Sequence, residues 1–199
     1  MDTHESDAAV IAASLRDPDR FAELFDRHHG RIFRFVSRRV GVQAADDVAA
    51  ETFLVAFRRR GDYDTAHEDA APWLYGIATR LCRAHARTER RLLTSPPGPA
   101  EPGADDAFAS SDAALTPAGR ARLRRALAGL RRAERDALAL HALADLTYDE
   151  VAVALGVRPG TVASRISRAR AKLAAALEPG ARAADGSPLL SVNEEALDG

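Results

Sequence analysis

The stretch from Thr147 to Leu173, TYDEVAVALGVRPGTVASRISRARAKL, constrains the fold more than any other part of the chain. Thr147 and Glu150 make an S/T-x-x-E capping box, which gives a first helix a defined start. Val151, Ala152 and Leu155 repeat behind it at helical spacing. Gly156 supplies a turn, where a left-handed backbone suits a residue without Cβ, and Val157 follows as a buried hinge. Pro159 stands at a first helical position, which needs no N–H. Val162, Ile166 and Leu173 line one face of the second helix. The small Ala152, the turn Gly156 and the β-branched Val162 suit two closely crossing helices, the helix-turn-helix pattern.

Charge points this pattern toward nucleic acid. From Val151 to Leu177 there is no Asp or Glu, while Arg158, Arg165, Arg168, Arg170 and Lys172 are basic. Thr161, Ser164, Arg165 and Arg168 share a face opposite the apolar seam, and such a helix suits the major groove. A solvated helix on an all-α core is the competing reading.

The chain's net charge of −1 looks wrong for a DNA binder, but the charge is segregated. The segment 92–119 holds Pro96, Pro97, Pro99, Pro102, Pro117, Gly98 and Gly103, with Glu101, Asp105, Asp106 and Asp112 and no Lys or Arg. It reads as a flexible linker that relaxes to roughly 30 Å and stretches to roughly 90 Å. Residues 1–16 read as an acidic, small-residue tail, and 178–199 as a disordered acidic tail after Pro179 and Gly180. No apolar run approaches the ~18 residues of a membrane span. The N-terminus lacks the basic start of a secretory signal. Cys82 is the only cysteine, so no intrachain disulfide forms, and a cytoplasmic location is expected.

The segment 17–91 reads as a helical domain. Asp17 and Pro18 start a helix in which Phe21, Leu24, Phe25, His28, Ile32 and Val36 recur to about Val40, before Gly41. The adjacent His28 and His29 point different ways and make poor metal geometry, so no metal site is expected. A second helix runs from about Ala44 to Arg59. Asp47, Glu51 and Thr52 form a polar strip beside Phe53 and its bulky neighbours, which fits either a partner surface or core packing. After the polar loop 61–71, Pro72 starts a helix with Trp73, Leu74, Ile77, Ala78 and Leu81 on its apolar side and Arg80, Arg83, Arg87, Arg90 and Arg91 toward its end. Arg beside Trp73, Tyr75 and Tyr63 can hold unpaired bases, or the end is simply solvated. The segment 120–177 reads as four short helices: a Leu123, Ala126, Leu127, Leu130 stripe, a helix from near Arg132 with Leu138 and Leu140, then the helix-turn-helix. The fold class is thus all-α, two small helical domains joined by a flexible linker.

DDVAAETFLVAFRR and PWLYGIATRLCRAHARTERR resemble region 2, and LRRAERDALALHALADLTYDEVAVALGVRPGTVASRISRARAKL resembles region 4, of the extracytoplasmic-function group of sigma-70-type RNA polymerase sigma factors. The resemblance spans Phe21 to Leu177 and includes the absence of a middle domain. It implies that Asp47, Glu51 and Phe53 bind core RNA polymerase. It implies that Tyr63, Trp73, Arg80, Arg83 and Arg87 meet the melted downstream (−10) promoter element. Arg158, Thr161, Ser164, Arg165 and Arg168 are implied to hold the upstream (−35) duplex. An anti-sigma factor is an implied partner, beside core polymerase and promoter DNA. Four positions depart from the family's habit: Arg80 for Asn, Ala50 for Gln, Ala163 for a basic residue and Arg158 for a Ser cap. They point to altered promoter specificity or weaker DNA binding.

Two other readings stay in play. A helix-turn-helix regulator would bind palindromic DNA as a dimer without polymerase. An enzyme would need a reactive constellation, and the chain offers no Gly-rich phosphate loop, metal spacing or Ser/His/Asp order. No catalytic residue and no cofactor is therefore expected.

Overall fold

A computed structural model describes residues 5–93 and 116–178. The described residues form eight α-helices: α1 Asp7–Ser14, α2 Phe21–Val40, α3 Val42–Arg58, α4 Ala71–Leu93, α5 Pro117–Ala128, α6 Arg132–Leu143, α7 Tyr148–Leu155 and α8 Pro159–Leu177. Short 3-10 turns at Pro18–Arg20 and Arg60–Asp62 join α1 to α2 and follow α3. Most of the linker and the C-terminal tail lie outside the described residues.

The periodicities build a bundle of α2, α3 and α4. Leu24, Ile32, Phe35, Val36 and Leu74 are wholly or almost wholly buried within it. Gly41 separates α2 from α3 at φ 82°, a conformation that a Cβ would strain. Asp17 caps the turn at Pro18 by accepting from the Asp19 N–H at 3.3 Å. In the second module α8 packs on α5, α6 and α7. Val151, Val162, Leu140 and Ile166 are fully buried there.

Residues 7–14 correct the expectation of an N-terminal tail. Asp7, Ala8, Val10, Ile11 and Ser14 are buried on one side of α1, an i, i+3, i+4 pattern beneath the acidic composition. Ser6 caps α1 by accepting from the Ala9 N–H. Asp7 then anchors it. Its carboxylate accepts from Arg27 Nη1 at 3.0 Å and from the Ala70 N–H at 3.1 Å, and lies 2.6 Å from His28 Nε2. Asp69 also comes near, so that three side chains of metal-ligating type, Asp7, His28 and Asp69, bring ligand atoms within 4.8 Å of one another. The Asp7 oxygens are already taken by these donors.

Burial alone would push the Asp7 pKa up. Hydrogen bonds from His28 and Ala70, the electrostatic pull of His28 and the Arg27 bond outweigh it and hold the carboxyl well below its ordinary value of 3.8. A depressed carboxylate stabilises the fold fully above that ordinary value, and the contribution is lost as pH falls through the lowered one. Asp7→Ala is expected to cost about 2 kcal/mol at neutral pH. Its deficit relative to the parent should shrink only below about pH 4. Urea unfolding of both chains between pH 7 and pH 3 checks this; a deficit already gone at pH 5 would contradict it.

The two modules are in contact. α4 packs on α7, and the buried side chains of both modules form one continuous apolar cluster. At Gly76 a Cβ would lie 2.4 Å from the Ala154 carbonyl oxygen, so the two helices meet backbone to backbone. Asp136 of α6 is fully buried and joins two arginines of the other module. Arg39 Nη2 donates to Oδ1 at 2.7 Å, and Arg83 donates to Oδ2 from Nη2 at 2.6 Å and Nε at 2.8 Å.

Candidate nucleic-acid and partner surfaces

The helix-turn-helix forms as its local signals require. The Thr147 hydroxyl accepts from the Glu150 N–H, and the Glu150 carboxylate accepts from the Thr147 N–H at 2.7 Å. Gly156 adopts φ 64° and ψ 42°. The Gly156 and Val157 N–H groups close the end of α7 on Val153 and Ala152. Arg158 precedes α8 without a side-chain cap, so the departure from Ser at this position leaves that helix end uncapped by its own residue.

On α8, Val162, Ile166 and Ala169 are buried, Thr161 and Arg165 are half-buried, and Arg158, Ser164 and Arg168 are exposed. The five upstream-element candidates therefore lie on accessible ground, with the apolar seam behind them. Ser164 Oγ donates to the Gly160 carbonyl at 2.9 Å and fills its own turn. Glu134 of α6 orders the flank of this face. It accepts from Lys172 at 2.7 Å and sits 3.8 Å from Arg168 Nε. The Lys172 bond holds the Glu134 carboxyl below the ordinary range, against burial. Arg168 keeps a largely exposed side chain.

The α4 candidates divide. Tyr63 was expected beside an unstacked base but is 9% exposed. Its hydroxyl donates to the His67 carbonyl at 2.7 Å, and its ring lies 5.0 Å from that of Trp73. Burial, with Asp7, Asp69 and Asp64 nearby, pushes the hydroxyl pKa up. Tyr63 is thus a support for Trp73, which is half-buried and presents the remaining aromatic surface. Arg80 is exposed and donates from Nε to the Gly76 carbonyl at 3.1 Å. Partial burial, and then the charges of Arg59 and Arg83, lower its pKa. Arg83 is engaged with Asp136, while Arg87 is exposed.

The α3 strip needs one correction. Asp47 and Glu51 are exposed, but Phe53 is 5% exposed and packs edge-on against Phe25 at 4.9 Å between ring centroids. Phe53 faces the core because it lies off the stripe of Asp47, Ala50, Glu51 and Leu54, which are spaced at 3, 4 and 7 residues. The exposed apolar residue beside the two acids is Leu54, 47% exposed. That i, i+4, i+7 spacing is visible in the sequence.

The junction residues also carried a signal. Ile32, Phe35, Val36 and Arg39 share one face of α2, so Arg39 occupies an apolar stripe. Asp136 sits four residues before Leu140 in the same manner. A charge in such a stripe calls for a buried partner of opposite sign.

Comparison with known proteins fits this geometry. Residues 24–92 match the family model "Sigma-70 region 2" and residues 120–173 match "Sigma-70, region 4". The chain is 35% identical over 179 residues to the ECF RNA polymerase sigma factor SigM of Mycobacterium tuberculosis, covering 86% of this chain and 85% of SigM. It is 29% identical over 174 residues to the ECF RNA polymerase sigma factor BldN of Streptomyces coelicolor, covering 87% of this chain and 66% of BldN. Among solved structures it is similar to CnrH in complex with the cytosolic domain of CnrY, with TM-score 0.60, 26% identity, and coverage of 86% of this chain and 96% of that one.

Proposed function

The chain belongs to the extracytoplasmic-function group of the sigma-70 family, and we propose how its two modules share the work of a promoter-recognition subunit of RNA polymerase. The carrying observation is the order of region 2 and region 4 on two helical modules, each with an accessible basic face. Core polymerase docks on α3 through Asp47, Glu51 and Leu54. Trp73, Arg80, Arg83 and Arg87 hold the separated strand of the downstream element, the aromatic face by stacking and the guanidinium groups by charge. Thr161, Ser164, Arg165 and Arg168 enter the upstream major groove, with Arg158 on a flanking phosphate. Reading both elements from one chain raises the effective concentration of the second contact. The chain contributes specificity and melting, with no catalytic group of its own. Among the described residues no helix is long and apolar enough to cross a membrane, and the chain acts in the cytoplasm beside polymerase. CnrH binds the cytosolic domain of CnrY. A protein partner bound in that way, the anti-sigma factor that the resemblance implies, suits this chain too.

Run-off transcription with purified core polymerase and genomic fragments tests the reading. Discrete transcripts that depend on the added chain are expected. Duplex binding by the chain without core binding or transcripts would favour the dimeric regulator instead. The salt dependence of upstream-duplex binding tests the α8 face. Each of Arg165→Ala and Arg168→Ala should reduce the slope of log K against log salt by about 0.9 if its guanidinium neutralises one phosphate. A slope unchanged in both variants would move the DNA contact off α8.

A further inference from the structure

We propose that the recess between α2, α4 and α6 binds a phosphate-type oxyanion, a site apart from the α8 face and the α3 strip that shares Arg83 and Arg87 with the downstream-element surface. Five guanidinium groups line it, those of Arg39, Arg83, Arg87, Arg132 and Arg135, against the single carboxylate of Asp136. That carboxylate is saturated, one oxygen held by Arg39 and the other by Arg83. Arg135 is partly spoken for, since it donates to the Leu127, Ala128 and Leu130 carbonyls at the end of α5.

Arg39 is the decisive residue. It is 4% exposed, and its Nε and Nη1 atoms are buried without a hydrogen-bond partner. A buried guanidinium with two unsatisfied donors beside four like charges is costly, and an oxyanion in the recess lowers that cost by its opposite charge while accepting from the more open guanidinium groups around it. The empty space of the recess is about 300 Å³ counted to its open mouth, and a water-sized group reaches only about 20 Å³ of it. The narrow end admits about one water-sized group, so a tetrahedral oxyanion seats at the open end of the recess. Arg39, Arg83 and Arg87 come from the first module, and Arg132 and Arg135 from the second. A bound anion therefore bridges the modules, and mass action favours their closed pairing when it is present.

Calorimetric titration of the full chain with inorganic phosphate, at ionic strength fixed with KCl, tests the site. Saturable one-to-one binding is expected, weakened by about tenfold in Arg132→Gln, which removes one charged donor. Arg132 is exposed at the first turn of α6, where loss of a positive charge spares the helix, so this variant keeps the fold. Pyrophosphate and a nucleoside triphosphate titrated alongside separate a free anion from the terminal group of a larger ligand; saturable binding of either supports the site. Heats equal to those of added KCl, or phosphate binding unchanged in Arg132→Gln, would overturn it. So would a recess that answers only to duplex DNA, because it would then be part of the promoter surface.

Discussion

Asp136→Asn is expected to destabilise the joined chain by about 3–5 kcal/mol, the cost of stripping the partner from a buried ion pair. Asp136 is the only carboxylate among the residues lining the recess, and it faces both Arg39 and Arg83. An amide keeps the shape but not the charge. Its NH2 end would also point at a guanidinium, where two donors meet. Arg39 is then left buried with no countercharge and no water to solvate it. The cheapest escape is to part the modules, which returns Arg39 and Arg83 to solvent. In a chain of this size the thermal midpoint should fall by roughly ten degrees. The radius of gyration from X-ray scattering should rise in the same sample. A double change separates charge loss from packing loss. Arg39→Met with Asp136→Leu removes both charges and fills the space, and should recover most of the stability, since apolar replacements of buried pairs are often neutral. An unchanged midpoint and radius in Asp136→Asn would mean that the junction does not form in solution.

This junction marks the boundary of what can be read from sequence. The helix-turn-helix is legible because its determinants are local: Thr147 and Glu150 are three residues apart, and Gly156 and Pro159 punctuate the turn. The α8 face follows from periodicity alone. Arg39 and Asp136 are 97 residues apart, and each merely interrupts an apolar stripe. Nothing local says that they meet, so the contact between the two linked modules is not legible in the sequence. Composition misleads at α1, where acids near Asp7 hide the buried Val10 and Ile11. At Phe53 and Tyr63 residue type misleads. An aromatic beside charges reads as a binding surface, but its direction is set by a helix phase or a loop path that one residue cannot reveal.

Gly76→Ala is expected to open the same junction from its apolar side while strengthening the helix that carries it. The new Cβ would lie 2.4 Å from the Ala154 oxygen, 3.2 Å from its carbonyl carbon and 3.3 Å from its Cα. These are backbone atoms of α7, so no side-chain rotation relieves the overlap, and α7 must move as a unit. Overpacking of this kind costs up to about 3 kcal/mol or more. Within α4 the sign reverses, because Ala in a helix interior is favoured over Gly by up to about 1 kcal/mol. The first module should therefore exchange its α4 amide hydrogens no faster than before, while α7 amides exchange faster. Gly76 and Arg83 are seven residues apart on one side of α4, so closure there holds Arg83 against Asp136 while Arg80 stays exposed. Opening frees Arg83 for DNA. Single-stranded downstream-element oligonucleotides should bind Gly76→Ala more tightly than the parent chain, with a steeper salt dependence from the additional guanidinium. Equal affinity together with faster α7 exchange would show that closure does not compete with this DNA. Unchanged α7 exchange would show that the close approach of the two helices is not kept in solution.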